Sequence, residues 1–211
     1  MSPYEHGAGS IRGKVEGRIK DIPKDMRKII VTFGLISGAI SSLMMIALVT
    51  IGGRIGFDRG AIIGNTSIVL SFLMVFVGIR TYRDNIGDGQ ITFLKAFAVG
   101  LSITLISCVI YVATWEVIYY NFLPGFWDAY GAHLVQKLTA SGASPAAVQE
   151  KLQQVRRYKE LYRNPFFNAV LTFIHPFPIG LVITLFSALV LRRKPQPQPE
   201  QSPLPAANEL P

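Results

Sequence analysis

Apolar residues fall into four blocks along this chain, separated by two short polar stretches and, before the last block, by one long one. Residues 29–51 run without a charge, and at 1.5 Å per residue such a helix covers the ~30 Å hydrocarbon core of a bilayer with some tilt. The second block, 61–79, is held between Arg59 and Arg80. It is only just long enough to span, so the flanking arginines are expected to snorkel to the interface. The third block, 96–120, holds a single acid, Glu116, and finishes in Trp115, Tyr119 and Tyr120, as a membrane-interface aromatic belt does. The fourth, 166–191, is interrupted by His175-Pro176-Phe177-Pro178 and stopped by Arg192-Arg193-Lys194. The pattern predicts an all-α membrane protein, a four-transmembrane-helix bundle.

The long stretch between the third and fourth blocks has its own periodicity. Phe126, Tyr130, Leu134 and Leu138 recur every four residues up to Gly142. Ser144-Pro145 then supplies an N-cap and a first-turn proline for a second helix with Val148, Leu152, Val155 and Tyr162 on one face. A helical hairpin over about 125–163 is expected, capping the bundle on the extracytoplasmic side. The membrane domain, 29–194, is flanked by a basic tail, 1–28, expected to be flexible, and a Pro/Gln-rich tail, 195–211, expected to be disordered. Met26-Arg27-Lys28 reads as a natural start, so residues 1–25 are expected to be dispensable. A secretory signal is not expected, because the positive region ahead of the first apolar block is too long.

Composition agrees with lipid as the solvent: half of the 211 residues are apolar and 16% are charged, against roughly 25% in soluble domains. The net charge of +8 does not point to nucleic acid, because the basic residues sit beside apolar blocks rather than along one face. Anionic lipid headgroups are the expected partner, met by Arg80, Arg83, Lys95, Arg192, Arg193 and Lys194. With four spans the tails and the 80–95 loop share one side, which carries thirteen of the 21 Lys/Arg. The positive-inside rule places that side, and both termini, in the cytoplasm.

Rows of small residues mark the packing faces: Gly34, Gly38 and Ser42; Ala96, Gly100, Thr104 and Cys108; Gly180, Thr184 and Ala188. Lipid offers no hydrophobic drive for helix association, so such rows bring backbones together within the bundle or between copies of the chain. Cys108, the only cysteine, reads as one of these packing residues.

Chemistry is sparse. No nucleophile elbow, zinc-binding helix, phosphate loop or dinucleotide fingerprint occurs, and His6 and His133 lack partners at metal-ligand spacing. Neither enzymatic activity nor a cofactor or metal is expected; Asp84 and Asp88 lack the rest of a calcium loop. Two ionisable residues inside the spans do need a reason, since each costs about 2.5–3.5 kcal/mol to insert near a helix centre. Glu116 lies about 6 Å inside the outer boundary, or about 10 Å if the helix runs on to Leu123. His175 lies about 13 Å in, beside a break where Pro176 and Pro178 cannot donate to the carbonyls of Thr172 and Ile174. An imidazole beside freed carbonyls suits a small carrier or channel, with Glu116 and His175 as a proton relay, although proline kinks are also common in purely structural helices.

Several segments together resemble the bacterial membrane family called domain of unknown function 4199. These are Met26-Arg27-Lys28; Gly78-Ile79-Arg80-Thr81-Tyr82-Arg83-Asp84-Asn85; Ile91 through Phe97 with Val99-Gly100-Leu101; Trp115-Glu116 with Tyr119-Tyr120; Asn164-Pro165; Pro178-Ile179-Gly180-Leu181; and Leu191-Arg192-Arg193-Lys194. The resemblance covers about 26–194 and implies a bacterial inner-membrane protein with no established activity. In that family an acidic residue is common where this chain has His175, so a role requiring an acid there is not implied.

The leading expectation is a non-catalytic membrane protein that assembles with another envelope protein or with itself; a small carrier is the alternative. A polar path past His175 would favour the carrier, and a dry interior the assembly role. Orientation is checked with single cysteines at Gly89 and Gly142 in a Cys108→Ala background. Position 142 should react with an impermeant reagent on intact cells, and position 89 only after lysis; labelling of 89 from outside reverses the orientation.

Overall fold

The structure, a computed structural model, describes residues 24–193. Seven helices form: α1 Lys24–Ile55, α2 Phe57–Asn85, α3 Phe93–Phe122, α4 Phe126–Ala140, α5 Pro145–Leu161, α6 Pro165–Ile174 and α7 Pro176–Leu191. α1, α2, α3 and the α6–α7 pair are each long and apolar enough to cross a membrane, so this is a multi-pass membrane protein. Among the described residues no strand forms, only an isolated bridge.

The helices outrun the apolar blocks. α1 takes in residues 24–28, which the sequence pattern placed in the flexible tail, and Asp25 stands in its first turn, where a negative charge suits the helix dipole. The polar stretch 52–60 is no loop: α1 and α2 both continue into it, and Gly56 alone reverses the chain, at φ 78 and ψ 163. That backbone conformation is essentially confined to glycine. The tails 1–23 and 194–211, and with them Lys194, lie outside the described residues.

Starts and stops follow side-chain chemistry. Thr92 caps α3, accepting from Lys95 N at 3.4 Å; Ser144 caps α5, accepting from Ala147 N at 3.3 Å; and Asn164 caps α6, accepting from Phe166 N at 2.9 Å. Each satisfies an amide that the first helical turn leaves orphaned. Between α2 and α3 the chain turns through Asp88 and Gly89, both at positive φ. Ile91 then exchanges backbone hydrogen bonds with Arg193, at 3.3 and 3.0 Å. This bridge holds the end of α7 against the start of α3.

α2 and α3 pack together, with α1 seated on both from one side and α7 on both from the other; α6 packs on α3. All three predicted rows of small residues are buried. The reason is the closeness of the helices. A Cβ on Gly34 or Gly38 would lie 2.8 or 2.6 Å from Ile106 or Ile110 of α3, and one on Gly180 would lie 2.5 Å from Thr104 and 2.9 Å from the Phe72 ring. Hydroxyls follow the same seams: Ser37 donates to Ser71 O at 2.9 Å and pairs with Ser107 at 3.0 Å, Ser42 pairs with Thr114 at 2.8 Å, and Thr104 with Thr184 at 3.0 Å. The large side chains Leu43, Ile62, Leu70, Val109, Val182 and Phe186 point outward, as they should when the surroundings are lipid.

α4 and α5 pack on each other, close enough that a Cβ on Gly131 would lie 3.4 Å from Val155, and an Asp128–Lys159 ion pair at 2.6 Å joins them. Aromatic contacts and one ionic cluster fix them to the bundle. Phe57, at the start of α2, packs against Phe126, Tyr130 and His133; Asp58 pairs with Lys137 at 2.7 Å and faces His133 at 3.5 Å. Trp115 and Tyr119 of α3 reach Phe126 and Tyr162, respectively.

Gly180→Ala should lower stability by about 1–3 kcal/mol, the usual cost of overfilling a tight contact. Gly60→Ala, where no other atom lies within 4 Å of the added carbon, should leave it essentially unchanged. Thermal unfolding in detergent of both variants checks this; equal melting temperatures would mean that the α3–α7 crossing is not tight.

Candidate functional site

Ser, Thr and Asn side chains inside a membrane are tolerated when they find partners on a neighbouring helix, and one such cluster lies between α3 and α6. Asn168, fully buried, accepts hydrogen bonds at Oδ1 from Trp115 Nε1 and Thr172 Oγ1, each 3.1 Å. Among the described residues its amide nitrogen has no partner. The next residue after Trp115 is Glu116, whose Oε1 is likewise buried without a partner. α3 continues to Phe122, so Glu116 lies about 9 Å from the helix end, close to the deeper of the two expected depths. Above it, Tyr120 donates to Tyr162 O at 2.8 Å. Burial pushes the Tyr162 phenol above its usual range, and the neighbouring Glu116 charge adds to the shift.

Thr172 enters this cluster through its hydroxyl, not through a vacant carbonyl. Pro176 deprives Thr172 O of its usual donor, as expected, and the replacement is His175 N at 3.3 Å in a tightened last turn rather than a water or a cation, as is common at helix ends. His175 itself keeps a helical conformation, φ −70 and ψ −58, and its side chain is exposed on the outside of the bundle. Pro176 is buried and Pro178 exposed. Among the described residues neither Glu116 nor His175 makes a side-chain hydrogen bond or ion pair to another protein group.

The bundle interior carries several buried hydroxyls. Ser41, Ser67 and Ser71 are bonded back to carbonyls of their own helices. A void lined by Ser41, Ser71, Ser107, Cys108, Tyr111 and Pro176 is too small to admit a water molecule. Among the described residues no group of three His, Cys, Asp or Glu side chains is placed to hold a metal ion.

At the end of the bundle that bears the Ile91–Arg193 bridge, Arg80, Lys95, Arg192 and Arg193 are exposed, Arg80 with an ion pair to Asp84 at 3.5 Å. Arg83 is different. Its side chain is only 13% exposed and its Nε donates to Asp84 at 2.7 Å, so its charge is already answered within the protein.

Residues 32–193 match the family model described as a protein of unknown function, DUF4199. The chain belongs to this family. No curated protein and no solved structure matches the chain. The DUF4199 region runs from the first turns of α1 to the bridge at Arg193, so it takes in all four spans together with α4 and α5.

Asn168 and Trp115 were legible only in part: Trp115 stood out as an interfacial aromatic, whereas Asn168 lies unannounced in an apolar run. The available signal was its spacing of four from Thr172, which puts two polar groups on one helical face. A double-mutant cycle of Trp115→Phe and Asn168→Ala should give a coupling near 0.6 kcal/mol, the average for hydrogen bonds between membrane helices. Strictly additive losses would show that the 3.1 Å bond contributes nothing.

Proposed function

We propose that this DUF4199 member is a non-catalytic protein of the bacterial inner membrane, with both termini cytoplasmic, whose extracytoplasmic α4–α5 hairpin and bundle surface mediate assembly with another envelope protein. One observation carries the reading: the hairpin touches the bundle through the Phe57, Trp115, Phe126, Tyr162 aromatic contacts and the Asp58–Lys137 pair, while much of its length faces outward. Holding a polar helix pair rigidly above the membrane is what a docking platform requires, because little ordering entropy is then lost when a partner binds. The interior favours the same reading. Ser37 and Ser107, and Thr104 and Thr184, pair across helix seams, and the void beside Ser41 does not admit water. The thirteen Lys/Arg on the tail side support the orientation.

The carrier reading, centred on Glu116 and His175, keeps one support of its own: among the described residues Glu116 Oε1 and Asn168 Nδ2 are buried and unpartnered. A photo-crosslinking side chain at Gln136 or Gln153, both exposed, should give a discrete protein adduct in native membranes, whereas the same probe at lipid-facing Leu43 should not. Absence of an adduct, together with a proton flux in reconstituted vesicles that Glu116→Gln abolishes, would replace assembly by transport.

A further inference from the structure

Where α5 ends and α6 enters the membrane, an open groove of about 620 Å³ is lined by Arg156, Arg157, Glu160, Leu161, Asn164 and Phe167. Its two ends differ in chemistry. Arg156 and Arg157 are exposed and, among the described residues, neither guanidinium has an ion-pair or hydrogen-bond partner. The one acid in the groove, Glu160, is engaged by Arg163 at 3.2 Å, so it leaves the arginine pair uncompensated. Asn164 uses its side-chain oxygen to cap α6, which leaves its amide free to donate. The other end is apolar: Leu161 is 39% and Phe167 47% exposed, and Phe167 belongs to the first turn of the α6–α7 span.

We propose that this groove binds one anionic phospholipid, its phosphate on Arg156 and Arg157 and the first part of its chains over Leu161 and Phe167. Charge complementarity selects the headgroup, since planar guanidinium groups recognise phosphate oxygens bidentately. The position of the groove selects a lipid over a free phosphate: the basic end lies on α5, outside the span, and the apolar end lies at the level where the span begins. An inorganic ion would answer the arginines and leave Leu161 and Phe167 bare. The site lies at the opposite end of the bundle from the basic residues Arg80, Lys95, Arg192 and Arg193, of which Arg80 is already paired with Asp84. It is also independent of the assembly role proposed above.

The test is native mass spectrometry of the full chain in a neutral sugar detergent, titrated with phosphatidylglycerol, with phosphatidylcholine and with inorganic phosphate. The wild type should retain one phosphatidylglycerol in preference to phosphatidylcholine. Arg156→Gln/Arg157→Gln should weaken that retention roughly thirtyfold, as two interfacial arginines imply, while Arg192→Gln/Arg193→Gln should leave it unchanged. Phe167→Ala, which keeps both arginines, should shorten retention of long-chain phosphatidylglycerol more than that of the dihexanoyl form. Equal retention of the two lipids, loss in the Arg192/Arg193 variant instead, or displacement by millimolar inorganic phosphate would each overturn the proposal. Unchanged helicity of the variants by circular dichroism separates lost binding from lost folding.

Discussion

Everything in this bundle rests on how closely the helix backbones approach. In water the burial of large side chains would hold helices together, but lipid tails are as apolar as leucine and reward that burial little. What remains is close packing and hydrogen bonding. Gly34 and Gly38 seat α1 on Ile106 and Ile110, and Gly180 seats α7 on Thr104 and Phe72. The short distances these glycines permit bring Ser37 to Ser107 and Thr104 to Thr184. The two effects are inseparable, because a hydroxyl reaches across a seam only where the backbones already meet.

The same economy explains where the bulky residues went. Gly, Ser and Thr share the interior with a compact set of large residues, Phe72, Ile79 and Ile103 among them, while many other large side chains of the spans are turned outward, and aromatic rings gather where the bundle meets α4 and α5. Trp127 stacks on Tyr158 and meets Tyr162 edge-on, and Tyr162 meets Tyr119. These ring contacts make up in shape and quadrupole geometry what the interface lacks in buried aliphatic area.

Much of this was legible in the sequence because it depends on period and length alone. Four apolar blocks, three rows of small residues, and caps at Thr92 and Ser144 all follow from local rules. The rest depends on what faces what. The attitude of His175 could not be read from its depth, since depth fixes the level of a side chain in the membrane but not its azimuth about the helix. The proline break lacks a hydrogen bond without reversing the chain, so the helical phase runs on through it and carries His175 to the outside. Arg83 shows the same limit: charge and position suggested a headgroup contact, and only the neighbouring carboxylate of Asp84 reveals that the charge is spent. Asn168 escaped because uncharged polar residues in apolar runs rarely declare a partner until the facing helix, here with Trp115, is in place.

The Ile91–Arg193 bridge has a consequence for assembly in the membrane. It joins a residue two before α3 to a residue two after α7, and so closes a ring of chain that contains two spans and the whole α4–α5 excursion. Such a ring can shut only when its last span has been inserted and has returned to the starting side, which makes the bridge a latch that reports completed insertion. A chain stalled after α3 leaves the Ile91 backbone unpaired. Protection of that one amide from solvent exchange therefore separates finished molecules from unfinished ones.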